Sequence, residues 1–346
     1  MSKKKQISWL HLLLALLILS QCFLLYFNAS SQIYFYTSIT TALICFGILF
    51  LNDKKSPLII TKTDATNNTT DLSQNDAQFS TLLEEHNNEL EMAKRVQQGL
   101  LSVYNTDIEG VSISKKCLPA SSVSGDFYSF FISGTTGSTS KSSIPGVMQY
   151  QEKSDRILGV VIGDVAGHGM SSALVMALAS GILNEVSKTT SKPSDVLQLA
   201  NQNLVTYIKN SHIRYVTSFY ASINLDTKLL TYSKAGHPAA YIIRNEQIIE
   251  LETGGIFLGM YEDEEYEQSN LQLEPKDRLF LYTDGLLETK NKTEELYGIE
   301  RLHQISIETK QLPVKEAETS IYKSVQSFGA TDEIADDQTL IIVEID

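Results

Sequence analysis

Cysteine is scarce in this chain of 346 residues, and the three that occur, Cys22, Cys45 and Cys117, show no paired spacing. A disulfide framework and a cysteine-based zinc site are therefore not indicated, and the main domain fits a reducing, cytosolic compartment. Basic residues are few as well, since 28 lysines and arginines against 41 aspartates and glutamates give a net charge of −13. Nucleic-acid binding needs a basic face, so the composition argues against it.

Proline is also rare, with seven residues, while 42 % of the chain is hydrophobic. A chain of this length and composition can bury one sizeable core and a smaller unit. A phosphate-binding P-loop is missing. Gly163, Gly167 and Gly169 superficially resemble one, but no Lys-Ser or Lys-Thr pair follows them.

Two long apolar runs at the N-terminus depart from the pattern of a soluble domain. Residues 7–27 would span about 31 Å as a helix, and residues 33–51 form a second run. Lysines at 3–5 and 54–55 flank the pair, so the positive-inside rule places both termini in the cytoplasm. We therefore predict a two-helix transmembrane hairpin at 1–55 in the cell membrane. A signal peptide or a lipoprotein cleavage site is the alternative for the first run.

The next two segments connect this hairpin to the main domain. Residues 56–75 are polar and predict a solvated linker. At 76–104, apolar residues recur at intervals of three and four and predict an amphipathic helix. These residues are Phe79, Leu82, Leu83, Leu90, Ala93, Val96 and Leu100. The helix either signals and dimerises between membrane and domain, or is a spacer packed on the domain.

Short β-rich runs fill the main domain at 105–346, and amphipathic helices interrupt them. The predicted strands are 111–118, 122–132, 157–162, 215–225, 229–235, 240–243, 248–251, 278–282 and 339–345. Helices are predicted from 170, at 193–208 and at 313–328.

Turn residues at 226–228 and 245–246 predict hairpins, so the sheets should be mostly antiparallel. The expected fold class is α+β, a β-sandwich whose outer faces are covered by helices. The Ser/Thr/Gly-rich tract at 134–154 predicts a mobile loop, for which a role as a lid stays open.

Acidic residues lie at the ends of several β-rich runs. Asp126, Asp164 and Asp284 each adjoin such a run, and Asp336-Asp337 precedes the last strand. Carboxylates without a histidine-rich or cysteine-rich companion suit Mg²⁺ or Mn²⁺. Two such ions about 3.5–4 Å apart can clamp a phosphoryl group during hydrolysis. Each aspartate alone is explained better as a turn residue, but the four together modestly favour a metal site.

Six motifs, in this order, closely resemble those of the SpoIIE/RsbU-type serine phosphatases, which belong to the metal-dependent protein phosphatase 2C-like (PPM) class. They are Ser-Gly-Asp-Phe-Tyr at 124–128, Gly-Asp-Val-Ala-Gly-His-Gly at 163–169, Lys-Ala-Gly-His-Pro at 234–238, Phe-Leu-Gly-Met at 257–260, Leu-Tyr-Thr-Asp-Gly-Leu-Leu-Glu at 281–288 and Asp-Asp-Gln-Thr-Leu at 336–340. The resemblance covers about residues 95–346. One departure is Ser124-Gly125, where the family usually has two glycines.

This resemblance implies a β-sandwich flanked by helices (α/β/β/α) with two Mn²⁺ or Mg²⁺ ions at one end. Three ions are the alternative. It implies that the carboxylates of Asp126, Asp164, Asp284 and Asp336 are the catalytic metal ligands, that Asp164 bridges the ions, and that the Val165 carbonyl binds one of them. It further implies that a metal-activated water hydrolyses phosphoserine or phosphothreonine without a covalent phosphoenzyme. The implied substrate is a phosphorylated anti-sigma-factor antagonist or a similar regulator in a partner-switching pathway.

Other residues near these motifs have structural interpretations. His168, between two glycines, is expected to shape the turn into the following helix rather than act as a general acid. His237 is expected to order its loop by hydrogen bonding, and Asp337 to support the neighbouring ligands. Residues 91–101 resemble the entry helix of the family, which implies a homodimer and a regulated metal affinity. A catalytically silent scaffold that binds phosphoproteins and a metal-dependent phosphodiesterase are the alternative functions.

Overall fold

The computed structural model describes residues 68–102, 108–133, 155–209, 211–213, 215–331 and 333–346, with the side chains of the first helix from 80 to 101. The predicted membrane hairpin at 1–55, most of the predicted linker at 56–75 and the loop at 134–154 lie outside the described residues. The chain divides into two units, Met1–Ala77 and Gln78–Asp346. The second unit contains the sheets and the acidic motifs.

Helix α1 spans Asn68–Ser102, so it begins eight residues before the predicted segment 76–104. The added residues are mostly polar, and such a composition does not by itself distinguish a helix from a linker. Val96 and Leu100, which belong to the apolar periodicity that predicts the helix, are 67 % and 40 % exposed. The face that meets the domain consists instead of the half-buried Leu90, Ala93 and Lys94 and the buried Gln97 and Leu101.

In the part of the chain that the structure describes, ten strands form two antiparallel five-stranded sheets. In chain order they are β1 (Val111–Leu118), β2 (Phe127–Ser133), β3 (Ile157–Val165), β4 (Val216–Asn224), β5 (Leu229–Ala235), β6 (Ala240–Arg244), β7 (Gln247–Leu251), β8 (Ser269–Gln272), β9 (Arg278–Tyr282) and β10 (Gln338–Ile345). The first sheet has the order β1-β10-β9-β6-β7, and the second has the order β2-β3-β4-β5-β8. The predicted antiparallel pairing is confirmed.

Alternation along the strands separates two apolar layers. In β10, Ile341 and Val343 lie in the core between the sheets, whereas Leu340 and Ile342 lie in a second core with the helices of the outer face. Successive side chains of a strand point to opposite faces, and both faces of this sheet are covered. Each fully buried side chain of this size contributes about 1.5–3 kcal/mol to stability.

Helices cover the outer face of each sheet. They are α2 (Met170–Ser187), α3 (Pro193–Ile208), α4 (Asp284–Leu287), α5 (Gly298–Glu308) and α6 (Val314–Phe328). Helices α2 and α3 pack on the second sheet, where Met176 and Leu204 are fully buried, and α6 packs on β1 and β10. The predicted α/β/β/α sandwich is therefore correct.

Helix α2 is, among the described residues, the one helix that is long and apolar enough to cross a bilayer. Its side chains Met176, Ala179 and Leu183 are fully buried in the domain core. Its apolar character is thus accounted for by packing on β2 and β3.

The predicted hairpin turns are present. Asn245 and Glu246 join β6 to β7 with φ angles of 47° and 66°, and this pair of positive values matches the twist of the flanking strands. Residues 226–228 lie between β4 and β5, and Lys228 has a φ of 59°.

Two parts of the sheet prediction differ from the structure. The strand expected at 122–132 begins only at Phe127, because the backbone N–H groups before it donate to side chains rather than to a neighbouring strand. Strand β8 (Ser269–Gln272) is a polar edge strand that pairs with β5, so its pairing rather than a residue pattern defines it.

Helix α5 (Gly298–Glu308) was not among the predicted helices.

Candidate metal centre

Two of the acidic residues lie side by side at one end of the second sheet. Phe127 in β2 pairs with Gly163 in β3 in an antiparallel register. The next positions toward the end of the sheet are Asp126, directly before β2, and Asp164, the second-to-last residue of β3. In such a register, opposite side chains on one face are neighbours. The strand pairing therefore brings these two carboxylates together.

The first sheet supplies two more acidic residues at the same end. Asp284 is the first residue of α4 and follows β9 by two positions. Asp336 precedes β10 by two positions. Strands β9 and β10 are paired, with Tyr282 opposite Leu340, so the two aspartates leave adjacent strands at one edge.

Asp126 is buried, and its two carboxylate oxygens have very different surroundings. Oδ2 accepts hydrogen bonds from the hydroxyl groups of Thr283 at 2.8 Å and Thr339 at 2.6 Å, whereas Oδ1 is buried without a hydrogen-bond partner. Burial raises the pKa of Asp126 well above its usual range, and the negative charge of Asp164 raises it further, against the two hydroxyl bonds. A buried carboxylate beside a second one is unfavourable without a compensating positive charge.

The other carboxylates share this electrostatic environment. Burial, followed by the charges of Asp284 and Asp336, raises the pKa of Asp164 to about 7. Burial also raises the pKa of Asp284, and the charges of Glu288 and Asp336 add to the effect. Within the part of the chain that the structure describes, no three His, Cys, Asp or Glu side chains lie close enough together to surround one ion.

These features fit a divalent cation with oxygen ligands. The structure brings Asp126, Asp164, Asp284 and Asp336 to one end of the sandwich, next to the backbone of Val165. Carboxylate and carbonyl oxygens are the ligands that Mg²⁺ and Mn²⁺ prefer. A cation beside Asp126 would also give its unpartnered Oδ1 a partner, which is the requirement for a buried polar atom.

Asp337, although adjacent to Asp336, has a different position. It is 3 % exposed, and its Oδ1 and Oδ2 accept hydrogen bonds from the backbone N–H groups of Ala120 at 2.7 Å and Gly125 at 2.6 Å. Its own N–H donates to Asp336 Oδ1 at 2.8 Å. Both carboxylate oxygens therefore hold the segment that precedes Asp126, which agrees with the predicted supporting role.

Two glycines allow the loops at this end to approach one another. A Cβ at Gly285 would lie 2.1 Å from the carbonyl oxygen of Asp337, so a larger residue would displace the loop before β10. A Cβ at Gly125 would lie 3.1 Å from the carbonyl oxygen of Val165. At position 124, by contrast, the serine hydroxyl accepts a hydrogen bond from the Asp126 N–H at 3.0 Å. Ser124, which stands where the family usually has the first of two glycines, thus adds a hydrogen bond to the backbone of Asp126.

His237 connects the two sheets behind the acidic cluster. Its Nε2 donates to the carbonyl oxygen of Tyr282 at 3.1 Å, and its Nδ1 is hydrogen-bonded to the Thr217 hydroxyl at 2.8 Å. Thr217 lies opposite Asp164 in the β3–β4 pair. Burial lowers the pKa of His237 to about 3, so the ring is neutral. The hydrogen-bonding role predicted for His237 is confirmed. His168, in contrast, is exposed in the turn before α2.

Three residues that contribute to this centre were not predicted as such. Thr283 and Thr339 orient the carboxylate of Asp126. Both lie inside the acidic motifs, so the motifs could have indicated a role for them. Gln97 on α1 contacts the backbone of Ser124. A single glutamine on an amphipathic helix gives no comparable signal.

Comparisons with known proteins agree on one family. The model of the family described as stage II sporulation protein E (SpoIIE) matches residues 154–346. The phosphoserine phosphatase RsbU of Bacillus subtilis (strain 168) is 30 % identical over 267 residues, which cover 75 % of this chain and 71 % of RsbU. The phosphoserine phosphatase RsbP of the same organism is 26 % identical over 264 residues, which cover 74 % of this chain and 58 % of RsbP.

Among solved structures, the SiaA-PP2C domain of Pseudomonas aeruginosa superimposes with a TM-score of 0.62 at 20 % identity. The match covers 77 % of this chain and 99 % of that domain. The two proteins therefore share the PP2C-like fold of two antiparallel sheets between helices.

Proposed function

We propose a reaction for this chain from the premise that it belongs to the stage II sporulation protein E (SpoIIE) family and is a protein serine/threonine phosphatase. The reaction is the hydrolysis of phosphoserine or phosphothreonine in a protein, with Mn²⁺ or Mg²⁺ as the cofactor. The observation that carries this proposal is the buried Asp126, whose Oδ1 has no hydrogen-bond donor and whose carboxylate lies beside the negative charge of Asp164. Such an arrangement suits a cation-dependent phosphatase.

The proposed ligands are the carboxylates of Asp126, Asp164, Asp284 and Asp336 and the carbonyl of Val165. They would hold two divalent ions, with a third as an alternative, and Asp164 would lie between the two. When bound, such ions lower the pKa of a water molecule and neutralise charge on the phosphoryl group.

The remaining residues of the centre orient these ligands. Thr283 and Thr339 fix the carboxylate of Asp126, and Asp337 fixes the backbone before it. His237 has both ring nitrogens engaged and is buried, so it does not serve as a nucleophile. In this proposal water is the attacking group and no covalent phosphoenzyme forms, as the family resemblance implies.

We propose a phosphorylated anti-sigma-factor antagonist, or a similar small regulator of a partner-switching pathway, as the substrate. The support is the likeness to RsbU and RsbP, which are both named phosphoserine phosphatases. The net charge of −13 gives no support to a nucleic-acid partner.

Phosphate release from a protein substrate tests the proposed function. The full-length protein, purified in detergent, is expected to release phosphate from a phosphoserine protein in the presence of Mn²⁺ and to stop when the ion is chelated. A phosphodiester substrate serves as the matched control and should remain intact. Binding of the phosphoprotein without phosphate release at any Mn²⁺ or Mg²⁺ concentration would support the silent scaffold instead, and cleavage of the diester alone would support the phosphodiesterase.

The membrane anchor is a separate part of the proposal. Residues 1–55 would form the two-helix hairpin and hold the phosphatase domain on the cytoplasmic side of the cell membrane. The support is the sequence itself, with two apolar runs between lysines.

We also propose that α1 joins two copies of the chain. Met92, Val96 and Leu100 are spaced by four residues, lie on one side of the helix and are 59 %, 67 % and 40 % exposed. Apolar residues at this spacing form one stripe, and an exposed stripe on a helix can pack against the same stripe of a second copy.

Replacing Val96 and Leu100 by aspartate should weaken the dimer at least about a hundredfold, because each buried side chain of this kind contributes about 1.5–3 kcal/mol. Analytical ultracentrifugation of the full-length protein in detergent measures the change in association. Gln98→Asp, on the same exposed turn, introduces one charge outside the stripe and should leave the dimer intact. Equal association of all the variants would contradict the proposal.

A further inference from the structure

The four proposed metal ligands come from both sheets of the sandwich. Asp126 and Asp164 adjoin or end strands of the second sheet. Asp284 and Asp336 adjoin strands of the first. The core between the sheets is apolar, and apolar burial is non-directional, so by itself it selects no particular spacing of these ligands. Directional hydrogen bonds between the sheets are needed for that.

On the side of Asp126, hydroxyl groups of the first sheet supply such bonds. Thr283, directly after β9, and Thr339, in β10, both donate to Oδ2 of Asp126. They connect the start of β2 to the first sheet. The corresponding connection on the side of Asp164 is made by a histidine.

His237 lies where the chain crosses from the second sheet to the first, between β5 and β6. Its side chain is only 3 % exposed. Its Nε2 donates to the carbonyl oxygen of Tyr282, the last residue of β9, at 3.1 Å. Its Nδ1 is hydrogen-bonded to the hydroxyl of Thr217, in β4, at 2.8 Å. One ring therefore bridges a strand of each sheet.

The two partners of this ring adjoin proposed ligands from different sheets. Tyr282 is two residues before Asp284. Thr217 lies opposite Asp164 in the β3–β4 pair, with its hydroxyl 3.4 Å from the carbonyl oxygen of Asp164. The length of the bridge therefore bears on the distance between the backbone beside Asp164 and the backbone beside Asp284.

The ring of His237 is held in one orientation. Since a carbonyl oxygen only accepts, Nε2 carries the proton, and in the neutral ring Nδ1 accepts the proton of the Thr217 hydroxyl. The backbone that carries the ring is fixed as well. Gly236 has a φ of 61°, and its N–H donates to the carbonyl oxygen of Gly255 at 3.1 Å. Pro238, on the other side, disfavours a helical backbone at His237.

We propose that His237 is a positioning residue that sets the spacing between Asp164 and Asp284, and with it the affinity of the centre for its divalent ions. The inference rests on the proposed function, in which both aspartates are metal ligands. A neutral imidazole suits this role, because it presents one donor and one acceptor on a single rigid ring. Without the bridge both sheets still form, but the ligands of the two sheets lose their fixed separation.

Two substitutions and their combination test this bridge in the full-length protein, purified in detergent. His237→Phe keeps a ring of similar size and removes both hydrogen bonds. Thr217→Val keeps the shape of the side chain and removes only the hydroxyl, so it decides the question if His237→Phe does not fold. His303→Phe is the matched control, because it makes the same change at a half-buried histidine of α5 that packs on Tyr241.

The main measurement is the dissociation constant for Mn²⁺ alone, by titration calorimetry without substrate. Residues that orient metal ligands typically change the affinity about 10- to 100-fold, so His237→Phe is expected to raise the constant by about that factor and Thr217→Val by less. In the double variant Thr217→Val should add nothing, because both changes break the same bridge. His303→Phe should leave the constant unchanged.

Two results of this titration would overturn the inference. A lower melting temperature of His237→Phe and Thr217→Val with an unchanged Mn²⁺ constant would mean that His237 only supports packing. Additive effects in the double variant would mean that His237 and Thr217 do not act through one bridge. Failure of the unsubstituted protein to bind Mn²⁺ and to release phosphate would instead overturn the proposed function itself.

Nitrogen NMR of isotope-labelled histidine rings provides a second measurement, which needs no metal. The signals of His237 are those that disappear in His237→Phe, and they should show a protonated Nε2 and an unprotonated Nδ1. The Nδ1 signal should shift in Thr217→Val and stay in place in His303→Phe. A proton on Nδ1, or an Nδ1 signal that ignores Thr217→Val, would show that the bridge is absent and would overturn the inference.

Discussion

Replacing Asp164 by asparagine is expected to abolish phosphate release and, in the absence of metal ions, to make the protein more stable. Asp164 is buried beside Asp284 and Asp336, and burial, followed by the negative charges of these two residues, raises its pKa to about 7. Asparagine has nearly the same shape and no charge, so it removes one of the repelling carboxylates. It also removes one of the carboxylates that would hold the divalent ions in the proposed function.

The expected loss of activity is large, because a bound divalent ion supplies several kcal/mol of transition-state stabilisation and each 1.36 kcal/mol is a factor of ten in rate. The rate of phosphate release from the phosphoserine protein should fall at least about a hundredfold. In a chelating buffer the melting temperature should rise, since residues of functional sites are often unfavourable for stability.

Asp263→Asn, at an exposed position, is the control and should change neither quantity. Full activity of Asp164→Asn at any Mn²⁺ concentration would exclude Asp164 as a required ligand. An unchanged or lower melting temperature in the chelating buffer would show that the carboxylates do not destabilise one another as the structure indicates.

Replacement by asparagine is expected to affect different properties at the adjacent residues Asp336 and Asp337: stability at Asp337 and metal affinity at Asp336. Asp337→Asn leaves one of the two backbone N–H groups of Ala120 and Gly125 facing an amide that cannot accept its hydrogen bond. A buried donor without an acceptor costs about 1–3 kcal/mol. Since a charge-assisted bond is lost as well, we expect the free energy of unfolding to fall by at least about 2 kcal/mol.

Asp336→Asn, in contrast, retains the Oδ1 acceptor for the Asp337 N–H. The free energy of unfolding should therefore not fall, because the loss of the Asp336 charge also relieves its repulsion with Asp164 and Asp284, while the affinity for Mn²⁺ should fall as for a lost ligand. Urea denaturation in a chelating buffer and Mn²⁺ titration calorimetry distinguish the two variants. If Asp337→Asn lost only metal affinity and Asp336→Asn lost only stability, the roles given to these residues would have to be exchanged.

Local residue patterns predicted much of the sandwich. The bounds of β1, β5 and β9 coincide with the β-rich runs at 111–118, 229–235 and 278–282, since strand-forming residue types are a local feature of the sequence. The turn at Asn245 and Glu246 was predictable for a similar reason, because its conformation depends on local residue types.

The candidate centre was predictable in its residue types but not in its arrangement. Asp126, Asp164, Asp284 and Asp336 stood out because they adjoin strands and occur in family-like motifs. The difference between Asp336 and Asp337 could not be seen in the sequence, since both are aspartates in one motif and only the loop before β10 decides which oxygens face the backbone of Gly125.

An α+β sandwich of strands and amphipathic helices, with acidic residues at the ends of strands, follows from the residue pattern alone. The helix before the domain follows from it as well, because apolar spacing and secondary structure are local properties. The outward orientation of Val96 and Leu100 and the contact of Gln97 with the domain, in contrast, are seen only in the folded chain. The tertiary structure likewise decided that Asp126 and Asp164 are neighbours, because contacts between residues distant in sequence depend on strand register and packing.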